Sequence, residues 1–495
     1  MSDVHLEYID AVNIRVRTEA GILMELSDHF TFFKEGYKWS PRFRNRQWDG
    51  KIRLINRLTA VCRAGLAVRI KKFCESRGYT IDWDPELNYD NVSENEVRVH
   101  LKSLNLPDWL DTREYQVEAI TKCLRSRRRT LLSPTSSGKS LMIYGITTWY
   151  KQKTLIIVPT INLVLQMKKD FESYGYKGVI DTSMGGLLKD NDIPADIVVT
   201  TWQSLDNGKS KMPKKWFNQF GVVFGDEAHG AKATTMISIL EAMTNTHYRF
   251  GTTGTLDNDR LNQHTIEGLF GSQLTTITTR EMIDQGYASD IKIKCIVLRY
   301  SEAERKEFNK SVKDKKTGKS RRKSYAEEVN YIVDHEKRSR FIKNLVLSLE
   351  GNKLLFFRII EHGEKIYASL ADTENAFYID GSVKGEKREE IRQAIEQEEN
   401  CILVASLGTT STGVSINKLH HMIAASPSKS KIKVLQSIGR MLRQHDEKSH
   451  AVLYDIVDDF SYGSNKNYTL THFEERVKIY DAEEFDYKIY VVGIK

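Results

Sequence analysis

With 495 residues, 40% hydrophobic and 28% charged side chains and a net charge of +8, the chain is too long for one core and suits about three globular domains. No apolar run approaches the roughly 20 residues that span a bilayer, and the acidic, polar start MSDVHLEYID is not a secretory signal. Five scattered cysteines, at 62, 74, 123, 295 and 401, lack zinc or redox spacing and fit free thiols in a reducing, cytoplasmic setting.

The first 84 residues read as a compact α+β unit. Val12, Ile14 and Val16 alternate as a strand does. Thr18 is placed to cap a helix carrying Ile22, Leu23 and Leu26 on one face. WDGKIRLI offers an Asp-Gly turn into an alternating strand. A second helix sets Leu66, Ile70, Phe73 and Cys74 on one stripe and stops at Gly78, and YTIDWD alternates again. An acidic, Asn-rich stretch at 82–96 marks the boundary, which gives a first domain of residues 1–95.

Charge is concentrated in that domain. Residues 34–77 hold thirteen Lys/Arg against three acids, a local +10 that leaves −2 for the rest of the chain. A run this localised implies a polyanionic partner, nucleic acid above all. Arg42, Arg44, Arg46 and Lys51 are the cations expected to meet phosphates. They are interleaved with Tyr37, Trp39, Phe43 and Trp48, and the two tryptophans serve either as base-stacking platforms or as anchors of a small core. A second basic run, KDKKTGKSRRK at 313–323, reads as a DNA-contacting loop or a flexible connector between two sheets.

From about residue 100 short apolar runs alternate with helical segments: TLLS (130–133), TLIIVPT (154–160), DIVVTT (196–201) and VVFGDE (222–227). Runs without alternation are buried on both faces, which predicts a parallel sheet covered by helices. The pattern restarts at KLLFF (353–357), AFYID (376–380), CILVAS (401–406), HHMIAAS (420–426) and HAVLYDIV (450–457). The expected fold is α/β: two tandem parallel-sheet lobes, 96–290 and 291–495, behind the small N-terminal α+β domain. The segment 472–490 is expected to add a helix and a strand to the second lobe.

PTSSGKS (134–140) follows a buried strand and precedes a helix, the context a phosphate-binding loop requires. Pro134, Thr135, Ser136, Ser137 and Gly138 form the cradle, Lys139 reaches the β/γ oxygens and Ser140 holds Mg²⁺. A glycine is usual where Ser133 stands, but close approach to phosphate needs small residues nearer the lysine, and those are present. DEAH (226–229) lies directly after Val222-Val223-Phe224. Asp226 is placed to organise Mg²⁺ and Glu227 to orient or deprotonate the attacking water.

With these two sites, the ordered motifs of residues 113–444 resemble those of superfamily 2 helicases. REYQ (113–116) resembles the adenine-reading motif, with Arg113 and with Gln116 at the base-contacting position. VPTINLVLQ (158–166) and TTWQSL (200–205) resemble strand-contacting motifs of the first lobe, and GTTGT (251–255) the motif that couples hydrolysis to movement. LLFFRIIEHG (354–363), VASLGTTSTGVSI (404–416) and QSIGRMLRQ (436–444) resemble the three motifs of the second lobe. The resemblance implies RecA-like lobes, ATP and Mg²⁺ as cofactors, nucleotide contacts from Gly413 and Gln436, and coupling by His229, Thr253 and Thr255. It also implies arginine fingers at Arg440 and Arg443, which share a helix face. GTTGT departs from the common serine-alanine-threonine form, and Ser415 stands where an aspartate is frequent.

FRNRQWDGKIRL joined to a compact two-lobe motor resembles, over the whole chain, the UvsW family of phage recombination helicases. That resemblance implies a monomeric, DNA-dependent ATPase acting in the infected host's cytoplasm on forks, four-way junctions and RNA–DNA hybrids. A single-stranded-DNA-binding protein or small accessory protein is the implied protein partner. Two readings stay open beside it: a duplex translocase that does not separate strands, and an RNA helicase. A scaffold with a dead nucleotide site is disfavoured by the joint presence of Lys139, Ser140, Asp226, Glu227, Arg440 and Arg443.

Overall fold

The computed structural model describes residues 2–182, 194–206, 211–232, 234–256, 259–313, 319–371, 373, 375–407, 418–426, 439 and 450–494. The chain divides into two compact units: Met1–Ile277 apart from Thr135–Ser137, and Thr278–Lys495.

The first unit opens with the strands β1 (Val4–Tyr8) and β2 (Asn13–Thr18), whose alternate residues Val4, Leu6, Ile14 and Val16 are buried. They are followed by β3 (Thr31–Phe33), β4 (Lys51–Arg53), β5 (Val61–Arg63) and β6 (Ile81–Trp83). Strands β5-β2-β1-β6 form one sheet, and β3 and β4 pair as a separate antiparallel ribbon. Helices Ala20–His29 and Ala67–Arg77 contribute Leu26, Ile70, Phe73 and Cys74 to the shared core. Gly78 ends the second helix with φ +79°, a left-handed conformation cheap only for glycine. The expected cap at Thr18 is not made. Its hydroxyl donates to the Asp3 carbonyl at 2.7 Å, and the helix starts after Glu19 without a side-chain cap.

This small sheet is seated on the rest of its unit. Arg69 donates to both oxygens of Glu267, at 2.6 and 2.8 Å, and Glu267 is 1% exposed. A Cβ added at Gly65 would lie 2.0 Å from the Glu267 carbonyl oxygen. Gly65→Val should therefore force the two surfaces apart and cost about 1–3 kcal/mol, read as a lower urea midpoint. An unchanged midpoint would show that the seat is not tightly packed.

The larger sheet of the first unit contains β7 (Arg128–Leu132), β8 (Thr154–Val158), β9 (Ile180–Asp181), β10 (Ile197–Thr201), β11 (Val222–Asp226), β12 (Tyr248–Thr253) and β13 (Gln273–Thr275). All pair in parallel, in the order β13-β7-β12-β11-β8-β10-β9. Strands β8 and β10 are buried at every residue, as expected of a parallel sheet covered on both faces. The core on one face is built from Ile120, Ile143, Ile146 and Val164, and that on the other from Trp216, Phe217, Leu240 and Phe270.

The second unit repeats the plan with β14 (Asp290–Arg299), β17 (Lys353–Phe357), β18 (Ala376–Ile379), β19 (Ile402–Ser406), β20 (His421–Ala424), β21 (His450–Asp459) and β22 (Asp486–Gly493). Their order is β18-β19-β17-β20-β21-β14-β22, again all parallel. Helix Tyr468–Ala482 and β22 supply the expected helix and strand of the C-terminal segment. Because β14 belongs to this sheet, the basic run at 313–323 is not a connector between sheets. It lies inside the second unit, where β15 (Val312–Lys313) and β16 (Ser320–Arg321) pair antiparallel.

Candidate active site

In a parallel α/β sheet the carboxyl ends of the strands share one edge, and ligands bind there. Strands β7, β12 and β11 are neighbours, so the loop after Leu132, the Thr252-Thr253 pair and Asp226 are brought side by side by topology alone. Ser133 N donates to the Thr253 carbonyl at 2.9 Å, which fixes the start of the loop against β12.

The loop has the geometry of an anion cradle. Ser136 has φ +69° and Gly138 φ +76°, and helix Lys139–Tyr150 begins at Gly138 with no side chain capping its N–H groups. Uncapped donors at the positive end of a twelve-residue helix suit phosphate oxygens. The Lys139 ammonium bonds the carbonyls of Ser133 and Pro134 at 3.2 and 3.4 Å, folded over the same loop. Ser133 is fully buried and accepts a 2.8 Å bond from Thr276 at the end of β13. The residue standing where glycine is usual thus ties the loop's outer end to the sheet, away from the cradle.

On β11, Asp226 accepts from the Thr252 hydroxyl at 2.6 Å. Burial and the neighbouring Glu227 charge push the Asp226 carboxyl up, and Lys139 opposes them. Burial also works against ionised Glu227, but the His229 bond and the Lys139 charge outweigh it and hold its carboxyl low. Two adjacent carboxylates so placed favour a bound cation. Among the described residues no group of three or more His, Cys, Asp or Glu could hold a metal by itself. An ion here would rest on Asp226, the Ser140 hydroxyl and phosphate oxygens, the sparse protein ligation usual for Mg²⁺.

A hydrogen-bonded relay leads away from Glu227. His229 Nδ1 lies 3.1 Å from Glu227 Oε2 and 3.0 Å from the Thr253 hydroxyl. The Thr253 hydroxyl contacts the Thr255 carbonyl at 3.0 Å. All three residues expected to couple hydrolysis to movement meet at the end of β12.

Gln116 is 2% exposed, accepts from Arg113 N at 3.0 Å, and presses its amide against Gly138, where a Cβ would lie 2.3 Å away. The Arg113 guanidinium bonds the Tyr115 hydroxyl at 3.0 Å. The adenine-motif residues are therefore joined to the phosphate loop itself. Two contributors escape motif reading because they lie outside the motif strings or in an unremarked slot: Thr252 on Asp226 and Thr276 on Ser133.

Of the residues expected from the second lobe, Gly413, Ser415, Gln436, Arg440 and Arg443 lie outside the described residues. In the N-terminal module Arg42, Arg44 and Arg46 are exposed along the short helix Pro41–Arg44 and its exit, and Lys51 begins β4. The two tryptophans differ. Trp48 is half-buried and donates its indole N–H to the Lys51 carbonyl at 2.9 Å, which makes it an anchor. Trp39 is 76% exposed with the Arg44 guanidinium 5.5 Å from its ring centroid, so it is the one that presents a face.

Comparison with known proteins gives three family models in chain order. "DNA helicase UvsW, N-terminal" matches residues 3–84, "Type III restriction enzyme, res subunit" residues 110–258, and "Helicase conserved C-terminal domain" residues 336–445. The ATP-dependent DNA helicase uvsW of Enterobacteria phage T4 is 34% identical over 99% of this chain and 100% of its own. The DNA 3'-5' translocase XPB2 of Sulfurisphaera tokodaii is 25% identical over 74% of this chain and 87% of its own. The crystal structure of T4 UvsW superposes with a TM-score of 0.50 at 32% identity, covering both chains completely. The Type ISP restriction-modification enzyme LlaBIII bound to DNA shares the fold, with a TM-score of 0.55 at 15% identity over 78% of this chain and 32% of its own.

Proposed function

The chain belongs to the UvsW family of ATP-dependent DNA helicases, and from that premise we propose that it remodels branched DNA: stalled forks, four-way junctions and RNA–DNA hybrids. The observation that carries the proposal is the fixed seat of the basic N-terminal module, through Arg69 and Gly65, on the part of its own unit that carries Lys139 and Asp226. A cationic surface mounted this way holds the duplex beside a branch while ATP turnover moves the adjoining strand. The phage relative supports a soluble enzyme working in the infected host cell.

In the proposed cycle Lys139 neutralises the β/γ-phosphate oxygens, and the N–H groups of the loop and of the helix start hold them in place. Ser140 and Asp226 would hold Mg²⁺. The ion, when bound, supplies charge that offsets the phosphates. Glu227 orients the attacking water and accepts its proton. His229, Thr253 and Thr255 pass the change at Glu227 to the loop after β12. Arg113 and Gln116 place the adenine, and Gln116 relays its presence to Gly138 by contact.

Neutralising Arg42, Arg44, Arg46 and Lys51 to Ala should weaken DNA binding and flatten its salt dependence by about 0.9 in the log–log slope for each phosphate that is no longer paired. The slope is obtained by titrating a fluorescent fork at several salt concentrations. A wild-type slope would separate the module from DNA. Strand displacement from a fork, run beside triplex displacement from a duplex, distinguishes remodelling from translocation without strand separation. Triplex displacement alone would favour the duplex translocase.

A further inference from the structure

The cycle above gives no role to the basic run of the second unit. Its two arms pair with each other, and the second is tied into the unit. Arg321 donates to both oxygens of Glu327, at 2.7 and 2.9 Å. The Lys323 ammonium bonds the Phe308 carbonyl at 2.5 Å and lies 5.1 Å from the Phe308 ring centroid. Phe308 stacks on Phe460, and Phe460 on Tyr300, with centroids 4.5 and 3.8 Å apart. Tyr300 and Phe460 directly follow β14 and β21. The arms are therefore rooted at the carboxyl edge of the sheet, the edge where ligands bind in this architecture.

A further cation joins them there. Arg358, the first residue after β17, is exposed and donates to the Tyr325 hydroxyl at 3.2 Å, with its guanidinium 5.9 Å from that ring. Arg322 is exposed, donates to the Lys466 carbonyl at 2.7 Å and lies 5.9 Å from the Tyr468 ring. Lys313 and Lys319 are exposed on the paired arms. Lys323 lies over Phe308, Arg358 over Tyr325 and Arg322 over Tyr468; of these rings Phe308 is buried and Tyr468 is 42% exposed. Four exposed cations beside one partly exposed ring suit the phosphate backbone of a duplex better than unstacked bases.

We propose that Lys313, Lys319, Arg322 and Arg358 form a second DNA site, in the second unit, that holds a duplex arm by its phosphates. The proposal rests on the helicase reading and deepens it: the enzyme has a duplex contact independent of the N-terminal module.

The test uses the full-length protein carrying Lys313→Glu, Lys319→Glu and Arg322→Glu, with Lys313→Gln/Lys319→Gln as a milder second variant that leaves the Arg322 anchor intact. Circular dichroism establishes folding, and ATP hydrolysis stimulated by single-stranded DNA serves as the internal control. The expected result is a roughly tenfold or greater loss of affinity for a blunt duplex and a salt slope lower by about 2–3 units for the triple variant. Stimulation by single strands stays at wild-type level. An unchanged duplex slope with that stimulation intact would overturn the second-unit site while leaving the helicase reading standing. Equal loss on single strands would overturn the assignment to duplex. Absence of stimulation in the wild-type protein would overturn the helicase reading itself.

Discussion

Lys139→Ala should lose ATP hydrolysis almost completely while its DNA binding stays near the wild-type level. The ammonium is the cation folded over the loop, bonded to the Ser133 and Pro134 carbonyls, and nothing else in the motif supplies a point charge at the β/γ position. Removing a group aimed at developing transition-state charge costs about 10²–10³ in turnover. The loss should be larger here because nucleotide binding weakens as well. The cradle itself, built from the left-handed Ser136 and Gly138 and the helix start, survives the truncation, so thermal stability should hold. Stimulated hydrolysis near the wild-type rate in Lys139→Ala would contradict the assignment of the loop.

Glu227→Gln separates binding from chemistry. The amide keeps the shape and can still meet His229 and Thr253, which lie on Oε2, but it cannot take a proton from water. General-base assistance contributes about 10²–10⁴ in rate. Turnover should fall by that factor with little change in nucleotide affinity, so the variant should trap nucleotide on DNA. The local pKa pattern agrees with the division of labour. Glu227 is held low by His229 and Lys139 and so stays ionised beside the water it would orient, whereas Asp226 is raised by burial and by Glu227, the state that cation binding relieves. A Glu227→Gln enzyme that hydrolysed ATP normally would move the general base elsewhere.

Much of this site is legible in the sequence because its parts sit at strand ends. TLLS and VVFGDE announce buried strands, and the residues that follow them are those proposed to carry the chemistry. Strand β12 is less legible. Arg249 interrupts its apolar pattern, yet that arginine is buried, its guanidinium taken up by the carbonyls of Leu269, Met243 and Leu240 at 2.8–3.1 Å. Three main-chain acceptors replace the water the side chain would otherwise need. Strand β14 is masked by Lys292 and Lys294, which alternate with the buried Ile291, Ile293 and Cys295. With that strand unrecognised, the basic run falls between the sheets instead of inside the second unit. Thr18 illustrates a competing partner: a residue type suited to capping meets a cross-strand carbonyl instead. The contact of Thr276 leaves no local signature, since packing brings it to the loop from another element.

The central claim is that ATP hydrolysis at the carboxyl edge of β7, β11 and β12 is driven by engagement of branched DNA. Steady-state hydrolysis with Mg²⁺ present, measured across duplex, single-stranded, forked and four-way DNA and an RNA–DNA hybrid, tests it most directly. The account predicts a low rate without nucleic acid and the largest stimulation by the branched substrates. A rate indifferent to nucleic acid, or stimulation by unbranched duplex equal to that by forks and junctions, would contradict it.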